Sequence, residues 1–427
     1  FLTAYDKSQK VQRGVYYTPQ PVVNFIIRAV DDILKTHFGY EDGLASTETK
    51  TVKFMRDSRK RIDGYIRKIK DVEEVPAIQI LDPATGTGTF LRQAILQIYD
   101  NFCKKHKSES RDAITKLWNQ YVDKNLLPRL NGFELMMAPY AVAHMKLAMV
   151  LKDTGYDFSG KNRLNVFLTN SLEQAGRSDE QMTLFDDPLA SESVEANYVK
   201  KNLGINVLIG NPPYSSATSN KNEWINNLVQ TFKMEPGGKE KLKERKNWLD
   251  DDYVRFIRLA EATVENTENS IIAFINPHGW IENGGFRGMR WHLLSCFDEI
   301  YMLNLHGNSR RQETCPDGTK DENVFDIQQG VAINIFVKHR KRSSGLAKVF
   351  YYDLYGTRDY KYSFLSQNTI ERIQWKEIKP IEPMYYLLPN DFSGIEQYNK
   401  GTLFPNTYEF KKDATLEEIF VTLLNET

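Results

Sequence analysis

The stretch Ala77-Ile78-Gln79-Ile80-Leu81-Asp82-Pro83-Ala84-Thr85-Gly86-Thr87-Gly88-Thr89-Phe90 is the strongest indication of the fold of this chain. Its first five residues are typical of a short buried strand, turn residues follow, and helical periodicity resumes at Leu91. The same order returns where RLNGFEL precedes PYAVAHMKLAMVLK, and where INVLIGNPPY precedes a helix near 253–264. Parallel strands joined by helices are implied, so we predict a doubly wound, Rossmann-like α/β sheet of about seven mostly parallel strands.

The composition is that of a water-soluble protein, because no apolar run approaches the length needed to cross a membrane. The three cysteines, Cys103, Cys296 and Cys315, form no pairing pattern, which predicts a reducing cytoplasm. Lysine and arginine number 56 and are balanced by 56 acidic residues, so binding to nucleic acid requires local basic patches. Candidate patches are 53–70, 239–246 and 338–348, although each stretch is more typical of a solvated surface than of a DNA-binding one.

The turn that follows Leu81 predicts a site for a nucleotide-like cofactor, since a strand end and a helix N-terminus meet a ligand there at close range. Asp82 at the strand end suits a cationic or amine-bearing ligand. A dinucleotide motif requires a third glycine where Leu91 stands, and a phosphate-binding loop ends in Gly-Lys-Ser/Thr. Neither phosphate-binding pattern fits the turn.

Two further strand ends carry polar candidates. Glu134 ends the strand of RLNGFEL, where a carboxylate accepts hydrogen bonds from ribose hydroxyls in nucleoside-binding folds, although acidic residues are common at strand ends. The second strand end is Asn211-Pro212-Pro213-Tyr214. The two prolines have no N–H to donate, so the Pro212 carbonyl is left as an acceptor beside the Asn211 amide oxygen. These two acceptors can hold and aim an amino group that is conjugated to a ring, and Tyr214 offers a stacking face.

With these motifs the sequence resembles the amino-group DNA methyltransferases that act on N6 of adenine and have an NPPY motif. That family has a further motif before the glycine turn, which Gly14-Val15-Tyr16-Tyr17-Thr18-Pro19 resembles. The resemblance implies S-adenosylmethionine as the cofactor. It implies the following cofactor-contacting residues: Tyr17, Thr18, Pro19, Asp82, Ala84, Gly86, Gly88, Phe90, Glu134, Asn170 and Ser171. Many relatives have aspartate where Asn170 stands, so this position lacks their charge.

The resemblance is strongest to the methylase portions of large restriction-modification polypeptides of the type IIG or single-polypeptide type I kind, in prokaryotic cytoplasm. It implies double-stranded DNA as partner, nuclease, helicase or specificity regions outside this chain, and an adenine rotated out of the duplex. Asn211, Pro212, Pro213 and Tyr214 are then the catalytic residues, and Tyr214 and Phe325 stack on the base. Phe325 is equally suited to the core. The strand at 331–338 is expected to be the antiparallel edge strand.

We predict three regions. Residues 1–75 form a helical N-terminal segment with the GVYYTP motif, in which 39–75 is predicted to be an insertion or a pair of exposed helices. Residues 76–342 form the methyltransferase domain, and 343–427 form a linker and a partial target-recognition region, which suggests a fragment or a truncated protein. Stretches 174–198 and 215–248 are expected to be loops.

Three alternatives remain. The first is that the methyl acceptor is RNA adenine or protein glutamine, as in other NPPY methyltransferases. The second is that the chain is a truncated subunit that binds the cofactor yet is inactive alone. A DNA-binding or assembly subunit with a vestigial methylase fold is the third, which the intact NPPY motif disfavours. We predict no metal, because His278, His292 and His306 lack short ligand spacing. Methyl transfer is therefore expected to proceed without divalent ions.

Overall fold

The computed structural model describes residues 16–57, 68–158, 163–176, 188–215, 222–243, 248–341 and 345–389. Phe1–Leu388 form one compact unit, and the second unit, Pro389–Thr427, lies outside the described residues except for Pro389. Gly14 and Val15 of the predicted N-terminal motif also lie outside them. Within the described part, every helix is too short or too polar to span a membrane.

The described residues form two sheets and nine α-helices, together with short 3-10 and π-helical turns. The strands are β1 (Thr49–Asp57), β2 (Lys68–Pro76), β3 (Ile80–Asp82), β4 (Leu130–Glu134), β5 (Asn165–Leu168), β6 (Val207–Gly210), β7 (Ser270–Pro277), β8 (Glu299–Asn304), β9 (Val331–Lys338), β10 (Lys348–Asp353) and β11 (Lys376–Ile378). The helices are α1 (Gln20–Thr36), α2 (Thr89–Lys105), α3 (Arg111–Tyr121), α4 (Met137–Asp153), α5 (Pro188–Asn202), α6 (Glu223–Val229), α7 (Asp252–Val264), α8 (Arg287–Cys296) and α9 (Arg358–Gln367).

The main sheet has nine strands in the order β11-β10-β8-β9-β7-β6-β3-β4-β5. Strands β5, β4, β3, β6 and β7 run parallel, and β10 is parallel to β8. Helices α1, α2 and α4 pack side by side, and α9 packs against α1. The predicted α/β class with a mostly parallel sheet is confirmed, and the turns after β3, β4 and β6 meet at one edge of the sheet.

The antiparallel strand is not where the sequence analysis expected it. Strand β9 is antiparallel to its neighbours, as predicted, but it lies inside the sheet between β7 and β8. Seven of its eight residues are buried, which suits a strand with ladders on both sides. The prediction of an edge strand was therefore wrong, and β10 and β11 extend the sheet beyond it.

The stretch 39–75 was predicted to be an insertion or a pair of exposed helices, and its described residues contain an antiparallel pair of strands where the helices were expected. Strands β1 and β2 pair from Thr49 opposite Pro76 to Asp57 opposite Lys68. The pair is anchored because Val52 and Val75 are buried, and the paired backbone needs no helix to satisfy its polar groups. The stretches 174–198 and 215–248 were expected to be loops, but they contain part of α5 and all of α6. Strand β10 and helix α9 belong to the same compact unit as the other strands, while the three-region division remains a prediction.

Candidate active site

The turn after β3 contains a buried acid. The Asp82 side chain is completely buried, and its Oδ1 accepts the Ala84 backbone N–H at 3.1 Å. Its Oδ2 has no hydrogen-bond partner among the described residues. Burial raises the Asp82 pKa to about 8, against the hydrogen bond from Ala84 and with a smaller contribution from the nearby Glu134 carboxylate. The site therefore holds a carboxyl group that a cationic ligand would ionise.

Two glycines of this turn have positive φ for different reasons. At Gly86 φ is +55°, and an added Cβ would meet no neighbour closer than the Ala84 carbonyl oxygen at 4.0 Å. At Gly88 φ is +78°, and an added Cβ would lie 3.2 Å from Cβ of Ala143 in α4. Gly86 thus lines open space, whereas Gly88 permits close helix packing. Phe90, predicted to line the cofactor, is buried in the core at the start of α2.

Glu134 connects the end of β4 to the glycine turn. Its Oε2 accepts the Gly86 N–H at 2.9 Å, and its Oε1 accepts the Met136 N–H at 2.7 Å. Burial raises the Glu134 pKa, although both N–H donors oppose that shift. The next residue, Leu135, is 56% exposed and offers an apolar surface that the sequence analysis did not single out. The acid and this surface lie beside the open face at Gly86.

The loop after β5 brings Asn170 and Ser171 to the same edge. The Ser171 hydroxyl donates to the Pro83 carbonyl at 2.5 Å, which ties the loop to the turn after β3. The Asn170 side chain accepts the Leu172 N–H and donates to Glu173 within its own loop. Lys200 in α5, which sequence reasoning missed, donates to the Asn170 carbonyl at 2.8 Å, and burial lowers its pKa to about 8.

The side chain of Asn211 is oriented by the N-terminal motif. Its Nδ2 donates to Thr18 Oγ1 at 3.0 Å and, more weakly, to the Tyr16 carbonyl at 3.4 Å. A carbonyl can only accept, so the amide NH₂ must face Tyr16 and the amide oxygen must face away. That oxygen, Oδ1, is buried and has no partner within the described chain. No described donor reaches the Pro212 carbonyl either, which leaves two acceptors next to each other in sequence.

The turns after β3 and β6 are in direct contact. Gly210, the residue before Asn211, has φ of +154°, and a Cβ there would lie 3.0 Å from Asp82 Oδ1. Only glycine allows this approach without displacing the carboxyl group. The buried acid and the buried amide are therefore neighbours at the sheet edge.

Three aromatic rings form a cluster beside Asn211. The Tyr214 ring lies 5.7 Å from Tyr16 and 6.3 Å from Phe325, and Tyr16 lies 6.5 Å from Phe325. Tyr214 and Phe325 meet edge to face at 90°, so a flat ring fits between them only after one of them turns. Both are buried, and burial raises the Tyr214 pKa well above its usual range. Sequence reasoning missed Tyr16, although it stands in the predicted motif.

A cavity of about 310 Å³ lies beside the glycine turn and the start of α1. Tyr17, which is 66% exposed, lines it together with Thr89, Arg92 and Lys146. Lys146 donates to Thr87 at 2.9 Å, and burial and the charge of Arg92 lower its pKa. Pro19 caps the start of α1, where Pro21 stands in the first turn and needs no N–H partner.

Two other polar clusters lie outside this site. Glu261, His292 and Cys296 have their ligand atoms within 4.8 Å of one another, and Glu261 is ion-paired with Arg258. The rings of His278 and His306, 28 positions apart in sequence, lie 6.1 Å apart after β7 and β8. His306 is held between the carboxylates of Glu313 and Asp353 at 2.6 and 2.7 Å. The absence of a metal from the reaction remains a prediction.

Part of the chain matches a known protein family. Residues 131–308 match the Eco57I restriction-modification methylase family. The match spans the strand ends that carry Glu134 and Asn211, and it confirms the predicted resemblance to restriction-modification methylases. No curated protein sequence matches the chain.

Solved structures of restriction-modification enzymes resemble this chain over most of its length. The ATP-dependent type ISP enzyme LlaBIII bound to DNA is 25% identical with a TM-score of 0.70, covering 93% of this chain and 24% of that one. A nuclease-deletion mutant of the type ISP enzyme LlaGI, with a DNA substrate mimic, is 25% identical with a TM-score of 0.63, covering 92% and 33%. The DrdV–DNA complex shares the fold at 24% identity and a TM-score of 0.63, covering 91% and 32%. The chain thus spans a quarter to a third of these enzymes.

Proposed function

We propose that this chain is a site-specific DNA adenine methyltransferase, the methylase part of a prokaryotic, cytoplasmic restriction-modification enzyme. It transfers a methyl group from S-adenosylmethionine to N6 of an adenine rotated out of the duplex. The observation that carries the proposal is the buried Asn211 Oδ1, an acceptor without a described partner, aimed by Thr18 and Tyr16. The DNA complexes of LlaBIII and LlaGI support DNA as the partner.

The residues around the glycine turn fit S-adenosylmethionine. Asp82 supplies an unsatisfied carboxyl oxygen for a cationic group, and Gly86 leaves open space where a side chain would stand. Glu134 lies at the strand end from which ribose hydroxyls are bound, and Leu135 offers an apolar face for a purine. Tyr17, which Thr18 and Pro19 follow in the chain, lines the cavity, whose Arg92 and Lys146 suit a carboxylate. The cofactor supplies a methyl group already activated on a sulfonium.

The chain's own residues prepare the amine. Asn211 Oδ1 and the Pro212 carbonyl each accept a hydrogen bond from one N–H of the target amino group. These bonds draw the lone pair of the nitrogen out of conjugation with the ring. Tyr214 stacks on the base, and stacking worth about 1–3 kcal/mol offsets the few kcal/mol lost when a base leaves the duplex. Orientation of this kind needs neither a metal nor a covalent intermediate. The nitrogen gives up one proton after it is methylated.

The test measures transfer of labelled methyl from S-adenosylmethionine to unmodified plasmid DNA, with nucleosides identified by mass spectrometry. The expected product is N6-methyladenine with the wild-type chain and none with Asn211→Ala. A matched control is Asn119→Ala, a half-buried asparagine in α3 outside the candidate site.

Three results would overturn the proposal. The first is label in cytosine, and the second is label that appears only in RNA or in protein glutamine. The third is no label in DNA when enzyme exceeds sites, even though cofactor binds. That last result assigns this chain to a cofactor-binding portion that is inactive alone.

A further inference from the structure

Side chains of helix α9 form hydrogen bonds with the backbone of the segment that contains Phe325. Arg358, its first residue, donates from Nε to the Asn323 carbonyl at 2.8 Å and from Nη2 to the Phe325 carbonyl at 2.9 Å. One turn later, the Tyr362 hydroxyl donates to the Val324 carbonyl at 2.7 Å. Three consecutive carbonyls of the segment are therefore bound by side chains of one helix.

A buried ion pair anchors the same contact. The side chains of Lys361 in α9 and Asp321 are both fully buried, with Nζ and Oδ1 2.7 Å apart. Lys361 also donates to the carbonyls of Leu305 and Glu322 at 2.7 and 2.6 Å. A buried pair specifies one arrangement, since separating its members leaves an uncompensated charge in the interior. The backbone at 321–326 is thus fixed relative to α9.

The other end of α9 is tied to the helix that follows the N-terminal motif. Arg28 in α1 donates to the carbonyls of Leu365 and Asn368 at 2.6 and 3.2 Å. Helix α1 begins directly after Tyr16 and Thr18, which orient Asn211. Helix α9 therefore connects the segment that contains Phe325 with the N-terminal segment that orients the Asn211 amide.

We propose that α9 positions Phe325 for the target base, and that Arg358 is the main positioning residue. The inference rests on the proposed function. The Phe325 N–H is also bound, by Asn323 Oδ1 at 2.8 Å, so the backbone is held on both sides while the ring keeps its own torsions. This arrangement lets the Phe325 ring turn to admit a base while its backbone stays in place. Arg358 also ion-pairs with Asp326, at 2.8 Å, just beyond Phe325.

The experiment compares Arg358→Gln, Arg358→Lys and Tyr362→Phe with Arg111→Gln. Arg111 is the matched control, because it is exposed at the start of α3 and lies in none of the candidate basic patches. Hydrogen exchange of the backbone at 321–330 is measured by mass spectrometry, together with kcat and the KM for DNA and for cofactor. Arg358→Gln is expected to speed exchange in the segment and to lower methyl transfer, each about tenfold, because two hydrogen bonds are lost.

The variants should rank by the bonds they retain. Arg358→Lys keeps the charge and is expected to recover part of the loss, Tyr362→Phe should lower transfer about threefold to fivefold, and Arg111→Gln should change nothing. The KM for cofactor is expected to stay constant throughout. In a Phe325→Ala background, Arg358→Gln should cause no further loss of transfer, whereas a purely structural role would lower activity in both backgrounds.

Two results would overturn the inference: unchanged exchange at 321–330 in Arg358→Gln, or faster exchange with normal methyl transfer. If the wild-type chain transfers no methyl to DNA, the proposed function fails and the role in base positioning fails with it. The exchange measurement still reports whether Arg358 holds the segment, so the two failures are distinguishable.

Discussion

The turns after β3 and β6 place similar polar oxygens at the sheet edge, but they use different side chains. Each ends a buried parallel strand, and each presents one buried oxygen without a partner in the described chain, Asp82 Oδ2 in one and Asn211 Oδ1 in the other. Asp82 can change its charge, with a pKa raised by burial to about 8, whereas an amide remains neutral. The first oxygen therefore responds to the charge of a ligand, and the second is a fixed acceptor that only its orientation controls.

The two side chains are also held differently. Asp82 is held by Ala84, two positions along its own turn, so local sequence fixes it. Asn211 is held by Thr18 and by Tyr16, the latter 195 positions earlier in the chain. Local geometry can place a charge, but a directional acceptor here depends on a tertiary contact. The following predictions test this difference.

Asn211→Ala should have the largest effect. It removes the fixed acceptor while leaving the β3 turn intact, so kcat should fall by roughly 10²–10³-fold, the usual cost of losing a preorganised hydrogen bond to the reacting group. Cofactor affinity should stay within about twofold, because loss of the amide leaves the Asp82 contacts in place. Radiolabel transfer and equilibrium dialysis measure the two quantities. A large loss of cofactor affinity would mean that the two turns act as one cofactor site.

Asp82→Asn should act on cofactor affinity instead. The variant cannot balance a cationic ligand, so affinity should fall by at least about tenfold, or roughly 1.4 kcal/mol. Binding by the wild-type protein should strengthen as pH rises towards about 8, where the free carboxyl ionises, and this dependence should vanish in the variant. Calorimetry across this pH range checks both. The exposed Asp100→Asn variant, whose residue pairs with Lys104, is the control.

The same variant should raise the stability of the ligand-free protein at neutral pH. The folded-state pKa of Asp82, about 8, lies above the value of about 3.9 for an unfolded aspartate, so the folded state binds the extra proton between these limits. The stability from this group is complete below about pH 4 and is lost as pH rises through about 8. The melting temperature of Asp82→Asn should therefore exceed that of the wild type increasingly over this range. A constant difference would contradict the raised pKa.

Tyr214→Ala should weaken DNA binding at the target base. Loss of one stacking surface costs about 1–3 kcal/mol, so the KM for DNA should rise roughly tenfold to a hundredfold. Tyr214→Phe should be close to wild type, because the hydroxyl makes only a 3.4 Å contact with the Ile275 carbonyl. Steady-state methylation of plasmid DNA distinguishes the two variants. Equal losses in both would assign the role to the hydroxyl and not to the ring.

Thr18→Val should have the smallest effect and tests the tertiary contact directly. Valine keeps the shape but cannot accept from Asn211 Nδ2, and one hydrogen bond of about 1 kcal/mol corresponds to a fivefold to tenfold fall in kcat. Thr18→Ser retains the hydroxyl and should stay near wild type. If Thr18→Val instead raises the KM for S-adenosylmethionine at constant kcat, Thr18 contacts the cofactor and does not position the amide.

The sequence determined the α/β class, the positions of the main strands and the residues at their ends. These features are local, because a buried strand needs an apolar run and a turn such as that at 82–88 needs glycines with positive φ. The order of turns along a parallel sheet then places Asp82, Glu134 and Asn211 at one edge. Periodicity and spacing were sufficient for that part.

Only the tertiary structure decided which side chains hold the site. That β9 is interior, that β1 pairs with β2, and that Tyr16 and Thr18 contact Asn211 all depend on pairing between distant segments. Arg358 and Lys361 bind backbone carbonyls, which every residue carries, so no sequence pattern marks their partners. The local sequence determines where a strand ends. The orientation of a buried amide is instead set by the distant groups that the fold brings within hydrogen-bonding distance.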